Sequence, residues 1–300
     1  MLNIPAFRAL KEAFPQAKII LAVSPGVEEL ARCIRFVDEV ITWENRKHRF
    51  FEIIAFSREI RKNKFSACVI LNPSKEFNII AFYSGIPVRV GYDRKWGFLL
   101  THKIKDNKRL GQKHEVEYNL ELVSLLGAKT QDKGLSLALP AGKIDLPSVA
   151  LETGDFIAIH PWTSDPLKQW PAHKFLILAQ RLAKELGKKI IFIGGRAEFE
   201  KSRELFRSLD DSFVDLTGKT NLIQLALILH KCKLLISADS GPVHLASCVG
   251  TASVVLFRND LPGKTALRWG PWDKKSIILE KNNLMDISVE EVFNKVKEIL

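Results

Sequence analysis

The apolar residues of this 300-residue chain fall into two patterns that alternate along its length. Short uninterrupted runs, such as residues 156–159 and 252–257, have the length and composition of buried strands. Longer segments, such as residues 172–186, place apolar residues every three or four positions, as a helix with one buried face does. Strands that alternate with helices predict a parallel sheet with helices on both faces, and therefore an α/β fold.

The two patterns also give the order of the elements. In the first half they predict helices at residues 3–14, 50–61 and 114–126, a helix that ends near residue 83, and strands at 18–23, 37–43, 67–71 and 88–92. In the second half they predict strands at 156–159, 189–193, 234–236 and 252–257, and helices at 172–186, 242–249 and 288–300. The first half thus begins on a helix, whereas a doubly wound domain begins on a strand.

The length of the chain and one stretch rich in breakers predict two domains. Each half is long enough to bury its own core. Between them, residues 140–154 contain Pro140, Gly142 and Pro147, which interrupt helices and sheets and are typical of a linker. We expect an N-terminal domain over residues 1–145, a C-terminal domain over residues 146–287, and a closing helix over residues 288–300.

Positive charge is concentrated in the first half. The formal net charge is +11, and the first 150 residues supply +8 of it, with 24 Lys and Arg against 16 Asp and Glu. A basic surface attracts anionic lipid, phosphorylated glycolipid or nucleic acid, although it can also be a plain solvated face. The most basic segment, residues 103–113, contains no interleaved aromatic residue, which argues against nucleic-acid stacking.

The cysteines and the apolar runs indicate the cellular compartment in which the protein is found. The four cysteines are scattered without a Cys-x-x-Cys pair, which indicates reduced thiols in a cytoplasm and no zinc site. No apolar run approaches the about 20 residues of a membrane span, and the first residues do not have the pattern of a signal peptide. We therefore expect a cytoplasmic protein.

The stretch from residue 233 to residue 246 is the strongest candidate for chemistry. A short apolar run ends in the turn Asp239-Ser240-Gly241-Pro242, where Ser240 is a favourable helix N-cap and Gly241 allows close approach to the backbone. Free amides at a helix N-terminus favour a phosphate, and His244 lies one turn further on. The alternative is an ordinary strand-to-helix turn with a capping serine.

A second loop offers matching groups. After the strand at 156–159, the hydroxyls of Thr163 and Ser164 and the ammonium of Lys168 suit a diphosphate. After the strand at 189–193, Glu198 or Glu200 follows a Gly-Gly turn and could hold ribose hydroxyls, with Glu200 the better candidate for a plain surface charge. We interpret His160 and His173 as structural residues.

Four motifs resemble those of the ADP-heptose:lipopolysaccharide heptosyltransferases. They are Asp239-Ser240-Gly241-Pro242-Val243-His244-Leu245-Ala246, the loop Thr163-Ser164-x-x-x-Lys168-x-Trp170-Pro171, the run His114-Glu115-x-x-Tyr118-Asn119-Leu120, and Trp269-Gly270-Pro271. That family consists of inverting glycosyltransferases with the GT-B fold, in which two Rossmann-like doubly wound domains face a cleft. The resemblance implies an ADP-heptose donor and an acceptor in the lipopolysaccharide inner core or lipid A.

The resemblance also implies roles for individual residues. Lys168 and His244 would stabilise the leaving diphosphate, and the closing helix would pack towards the N-terminal domain. No metal or cofactor would be needed beside the nucleotide sugar. The family's general base is an Asp in a Gly-Asp loop, which in this register falls roughly two residues before Met1, so we expect the first strand and the base to be missing. Donor-binding roles are implied for Thr163, Ser164, Lys168, Glu198, Thr220, Asp239, Ser240, Gly241 and His244.

Two alternatives stay open at this point. One is a different nucleotide-sugar enzyme of the same fold, an epimerase or a hydrolase. The other is a binding protein without activity, which the missing strand would favour. For the transferase we expect the basic N-terminal domain to contact the anionic inner face of the cytoplasmic membrane, and we expect no nucleic-acid partner.

Overall fold

The computed structural model describes residues 1–140, 156–207, 209–210 and 213–300. These residues form two compact units. The first unit comprises residues 2–32 and 36–133, and the second comprises residues 134–300 together with Met1 and residues 33–35. The predicted domain boundary at residue 145, and all of the predicted linker after Pro140, lie outside the described residues.

The first unit contains two small parallel sheets. β1 (Ile20–Val23) pairs with β2 (Glu39–Thr42), and β3 (Ala67–Val69), β4 (Val88–Tyr92) and β5 (His102–Ile104) form the other sheet in that order. Its helices are α1 (Ile4–Ala13), α2 (Glu28–Arg32), α3 (Phe50–Lys62), α4 (Lys75–Tyr83) and α5 (Glu115–Ser124). The sequence pattern missed β5, because its three residues lie at the edge of the sheet and carry no apolar run.

Helix α1 shows how the pattern produces the packing in this unit. Pro5 stands in its first turn, where the missing amide costs nothing, and the helix ends before Pro15. Its buried residues Ala6 and Ala9 pack against Val123 of α5. The helix is therefore present as predicted and is held by its apolar face.

The second unit is built on one six-stranded parallel sheet in the order β11-β10-β9-β6-β7-β8. The strands are β6 (Phe156–His160), β7 (Lys189–Phe192), β8 (Phe213–Asp215), β9 (Leu234–Ala238), β10 (Ala252–Arg258) and β11 (Ile277–Lys281). The helices are α6 (Ala172–Leu186), α7 (Phe199–Leu205), α8 (Leu222–Lys231), α9 (Gly241–Val249), α10 (Ala266–Trp269) and α11 (Val289–Ile299). The chain runs outward from β6 in one direction and from β9 in the other, so the strand order reverses between these two strands.

The closing helix α11 packs within the second unit. Its buried residues Val292, Phe293 and Val296 belong to the same apolar core as the buried residues of α6. Trp170, which precedes α6 and is fully buried, donates its indole N–H to the carbonyl of Ile287 at 3.0 Å. These contacts assign the helix to the second unit, and its predicted packing towards the N-terminal domain stays a prediction.

A buried ion pair lies at the start of α5. The side chain of Glu115 is buried and ion-paired with Lys108, which is also buried. The Lys108 ammonium lies 4.6 Å from the centre of the Tyr92 ring. Lys108 therefore anchors the basic segment 103–113 to the core and does not contribute to its exposed positive charge.

None of the helices in the described part of the chain is long and apolar enough to cross a lipid bilayer.

Replacing Glu115 by Ala should lower the free energy of unfolding of the first unit by about 3–5 kcal/mol, because Lys108 would stay buried without its carboxylate. Glu117→Ala is the matched control. Glu117 stands in the same first turn, its carboxylate is 41% exposed and lies 3.6 Å from Lys133, and its loss should cost at most about 1 kcal/mol. Urea titrations of the three proteins measure the difference, and equal effects of the two substitutions would contradict it.

Candidate functional site

The loops that follow β6 and β9 lie side by side at the carboxyl edge of the second unit's sheet. The two strands are hydrogen-bonded neighbours, with His160 opposite Ser237 at their ends. The carboxyl edge of an open parallel sheet, at the point where the strand order reverses, is where such folds bind ligands. The topology therefore brings together the two loops that the sequence singled out.

An ion pair joins these loops. The Lys168 ammonium contacts the Asp239 carboxylate, and the two side chains are only 19% and 9% exposed. Burial raises the pKa of Asp239, although the ammonium of Lys168 acts in the opposite direction. The pair fixes the loop after β6 to the turn after β9 across 71 residues of sequence.

A cavity of about 200 Å³ opens beside this ion pair. It is lined by residues of four segments: His160, Trp162, Thr163 and Ser164 at the end of β6 and after it, Glu198 before α7, Asp239 and Ser240 after β9, and Gly241 and Pro242 of α9. Six of the nine predicted donor-binding residues are thus among its walls, namely Thr163, Ser164, Glu198, Asp239, Ser240 and Gly241.

The other three predicted residues are not among the lining residues of the cavity. Lys168 contacts Asp239, His244 is half-buried in the first turn of α9, and Thr220 is half-buried just before α8. The predicted contact of Lys168 and His244 with one ligand therefore stays a prediction, while Lys168 is joined to the wall of the cavity through Asp239.

Ser240 occupies the predicted N-cap position of α9 but does not cap the helix with its side chain. Its hydroxyl instead lies 2.8 Å from the Ser237 hydroxyl and 3.2 Å from Nδ1 of His160. Gly241 is exposed, and a Cβ added there would meet nothing within 4 Å. The N-terminus of α9 is therefore open to the cavity beside a small hydroxyl cluster.

His160 is the residue that sequence reasoning underestimated. It was interpreted as structural, yet it lines the cavity and its Nδ1 lies 3.2 Å from the hydroxyls of both Ser237 and Ser240. Burial lowers the pKa of His160 to about 4, so the ring is neutral near pH 7. Its position directly after the apolar run 156–159 was the sequence signal that could have identified it, because ligands bind at the carboxyl ends of such strands.

The Gly-Gly turn after β7 shapes the same cavity. A Cβ on Gly194 would lie 2.5 Å from Cδ1 of Trp162 and 2.9 Å from Cγ2 of Thr217, so only glycine fits behind the indole. Glu198 lines the cavity, whereas Glu200 is exposed and lies 3.4 Å from Arg203. The geometry favours Glu198 over Glu200 as the candidate ligand-binding carboxylate.

The loop after β10 contacts the loop after β6. Lys264 lies 3.1 Å from the Asp165 carboxylate, and Arg258 donates to the carbonyl of Leu167 at 3.2 Å. The hydrogen bond from Lys264 holds the pKa of Asp165 below its usual range. Three cations, Lys168, Arg258 and Lys264, therefore contact the two loops that border the cavity.

In the ranges that the structure describes, no group of three or more His, Cys, Asp or Glu side chains is arranged to hold a metal ion. The charged groups at the site are the cations just named and the carboxylates of Asp165, Glu198 and Asp239.

Comparison with known proteins decides the family. The model of glycosyltransferase family 9 (heptosyltransferase) matches residues 53–297. The chain belongs to this family. Lipopolysaccharide heptosyltransferase 2 of Salmonella typhimurium is 24% identical over 283 residues, covering 88% of this chain and 81% of the relative.

Solved structures of family members agree with the predicted fold. E. coli ADP-heptose lipopolysaccharide heptosyltransferase II has a TM-score of 0.81 at 20% identity, covering 99% of this chain and 94% of its own. An E. coli heptosyltransferase solved with ADP has a TM-score of 0.79 at 19% identity, covering 100% of this chain and 95% of its own. The predicted GT-B class is confirmed.

The neutral state of His160 makes the stability of this family 9 protein depend on pH. In the unfolded chain the imidazole of residue 160 has its ordinary pKa of 6.5, whereas in the folded protein its pKa is about 4. The unfolded state therefore binds more protons between these values, and stability falls as the pH falls. Between pH 7 and pH 5 we expect His160→Gln to lose about 2 kcal/mol less stability than the wild type.

Urea titrations at the two pH values measure this difference. His173→Gln is the control, because His173 is exposed on α6, and it should follow the wild type at both values. If His160→Gln and the wild type lose stability equally, His160 is not held neutral.

Proposed function

We propose that this chain transfers a heptose from ADP-heptose to an acceptor in the lipopolysaccharide core, and that its second unit binds the donor. The observation that carries the proposal is the ion pair between Lys168 and Asp239. It holds two loops of the family motifs together, beside a cavity that ends at the N-terminus of α9. That arrangement has the charge and shape to bind a diphosphate.

The chemistry of transfer needs a positive field at the leaving group. The bond between the anomeric carbon and the diphosphate oxygen breaks, and negative charge grows on the diphosphate. The amides at the start of α9 and the ammonium of Lys168 stabilise that charge. The Thr163 and Ser164 hydroxyls donate hydrogen bonds to the same group. We assign the leaving-group role to these residues and to His244.

Two further donor contacts complete the proposal. Glu198, on the cavity wall, can accept hydrogen bonds from the ribose hydroxyls. Thr220, just before α8, is assigned to the base on the resemblance to the family alone. The acceptor hydroxyl attacks the anomeric carbon from the face opposite the diphosphate, which inverts the configuration. Its proton goes to a general base, to which we assign no residue. With Lys168 and the helix dipole supplying positive charge, the proposed mechanism uses no metal and no cofactor.

Membership of family 9 argues against the alternative in which the chain is an epimerase or a hydrolase, and favours a transferase over a binding protein without activity. The proposed acceptor is a membrane glycolipid, and the first 150 residues carry most of the positive charge. We therefore propose a cytoplasmic protein in peripheral contact with the anionic membrane surface, and no nucleic-acid partner.

Lys168→Ala should weaken ADP binding about 10- to 100-fold, because a charge-assisted hydrogen bond contributes about 1.5–3 kcal/mol. Calorimetric titration with ADP measures the change. Lys184→Ala is the control, since Lys184 is an exposed lysine of α6 in the same unit. Unchanged affinity in Lys168→Ala, or an equal loss in Lys184→Ala, would contradict the proposed donor site.

ADP release from ADP-heptose should require an acceptor. A transferase holds the donor until a sugar hydroxyl attacks, so a lipopolysaccharide core lacking the heptose should raise ADP release far above the rate in buffer. Chromatography of the nucleotide and mass measurement of the glycolipid follow both products. Fast release of ADP without acceptor would indicate a hydrolase instead, and an isomerised sugar nucleotide would indicate an epimerase.

A further inference from the structure

The first unit exposes a group of aromatic side chains that the donor site does not use. Six of them lie between residues 50 and 98, and each is 45–70% exposed. In the described part of the second unit, the exposed large apolar side chains are all aliphatic residues or methionine. We call the group the aromatic surface; it consists of Phe50, Phe51, Phe82, Tyr83, Trp96 and Phe98.

Ring contacts connect the start of α3 to the end of α4. The centres of the Phe50 and Tyr83 rings are 6.2 Å apart, and those of Phe82 and Tyr83 are 5.6 Å apart. The guanidinium of Arg89 lies 5.6 Å from the centre of the Phe82 ring, and its Nε donates to the carbonyl of Leu99 at 2.7 Å. The contacts thus lead from α3 across α4 to the turn that carries Trp96 and Phe98.

The turn at residues 95–99 joins the other end of α4. The ring centres of Trp96 and Phe98 are 5.8 Å apart, and the ammonium of Lys75, the first residue of α4, lies 4.2 Å from the centre of the Trp96 ring. Because α4 has nine residues and spans only about 14 Å, the rings at its two ends are close together, and we treat the six as one surface. With about half of each ring exposed, that surface is on the order of 600 Å², which is large for a face without a partner.

The backbone at this turn is strained. Lys95 and Trp96 have φ angles of 49° and 70°, in the left-handed region that bulky residues rarely adopt. Trp96 is nevertheless 45% exposed, so burial of its own ring does not offset the strain. Nδ2 of the buried Asn78 donates to the carbonyl of Lys95 at 2.9 Å and helps to hold this turn, which presents the Trp96 ring to solvent.

Cations surround the aromatic surface. The segment 46–51 has the sequence Arg-Lys-His-Arg-Phe-Phe, in which Lys47 and Arg49 are exposed just before α3, and Arg58 is exposed in the second half of that helix. Lys75 and Lys95 are exposed at the other end. Among the described residues, none of these five has a carboxylate partner within ion-pair distance, whereas Glu52 and Asp93 are paired with Arg46 and Lys103.

We propose that the aromatic surface docks onto an anionic lipid bilayer. The choice of a bilayer as the partner rests on the proposed function, in which the acceptor is a membrane glycolipid. Aromatic rings favour the headgroup region, where an apolar body and a wet edge are both accommodated, and the flanking cations bind lipid phosphates. A second copy of this chain is disfavoured as the occupant, because a two-fold contact would place like charges against each other.

Vesicle flotation tests the surface with the full chain. The wild type should bind vesicles of phosphatidylcholine and phosphatidylglycerol and should bind pure phosphatidylcholine vesicles much less. The double variant Phe50→Ser/Phe51→Ser should bind the anionic vesicles about tenfold more weakly or less. Ile177→Ser/Met285→Ser, which changes exposed apolar residues of the second unit, is the matched control and should bind like the wild type.

Trp96→Gly separates docking from folding. Glycine adopts the left-handed conformation without strain, so the unfolding temperature of this variant should not fall, whereas its vesicle binding should fall about fivefold or more. A loss of binding without a loss of stability supports the proposal. Wild-type binding by both aromatic variants, an equal loss in the control variant, or no preference for anionic vesicles would overturn it.

Two further measurements separate the causes of failure. Light scattering after gel filtration reports the oligomeric state, and a dimer that the aromatic variants abolish would overturn the proposal in favour of a second copy. Calorimetry with ADP reports the donor site of the second unit, which the aromatic variants should leave unchanged. Absent vesicle binding with intact ADP binding refutes only the docking surface, whereas absent ADP binding refutes the proposed function.

Discussion

The parallel pairing of β6 with β9 is the constraint on which the candidate site depends. The strands are distant in sequence, but their pairing places His160 opposite Ser237 and brings both following loops to one edge of the sheet. The ion pair of Lys168 and Asp239 then fixes the loops to each other, with both side chains largely buried. A buried ion pair gains little stability of its own, but the loss of either partner leaves an uncompensated charge. Sheet topology provides the proximity, and electrostatics fix the geometry.

Much of the fold follows from periodicity alone. Residues 88–92 and 172–186 form a strand and a helix with the predicted bounds, because each carries an unambiguous apolar pattern bounded by breakers. The three-residue strands β5 and β8 were not predicted, since they lie at sheet edges where no buried apolar run is needed. An edge strand is defined by its hydrogen bonds to the neighbouring strand, and the local sequence does not show which strand that neighbour is.

Only part of the candidate site was predicted, again because local sequence does not show which distant residues come together. Loop motifs identified Thr163, Ser164, Asp239 and Ser240, which all line the cavity. The role of His160 depends on its neighbours across the sheet, and the burial of Lys108 depends on a carboxylate seven residues away on a different element. Both are tertiary contacts, and a sequence pattern read along one segment carries no information about them. The direction of the Ser240 hydroxyl has the same origin, because the His160 ring competes with the helix amides for it.

Gly194 carries a consequence for the width of the cavity. The indole of Trp162 forms one wall, and the back of that indole lies where the first side-chain carbon of any other residue at position 194 would stand. A single methyl group there would push the aromatic wall forward into the empty volume, with Thr217 preventing relief on the other side. The width of the cavity therefore depends on the absence of a Cβ atom at Gly194, a residue that stands behind the Trp162 wall.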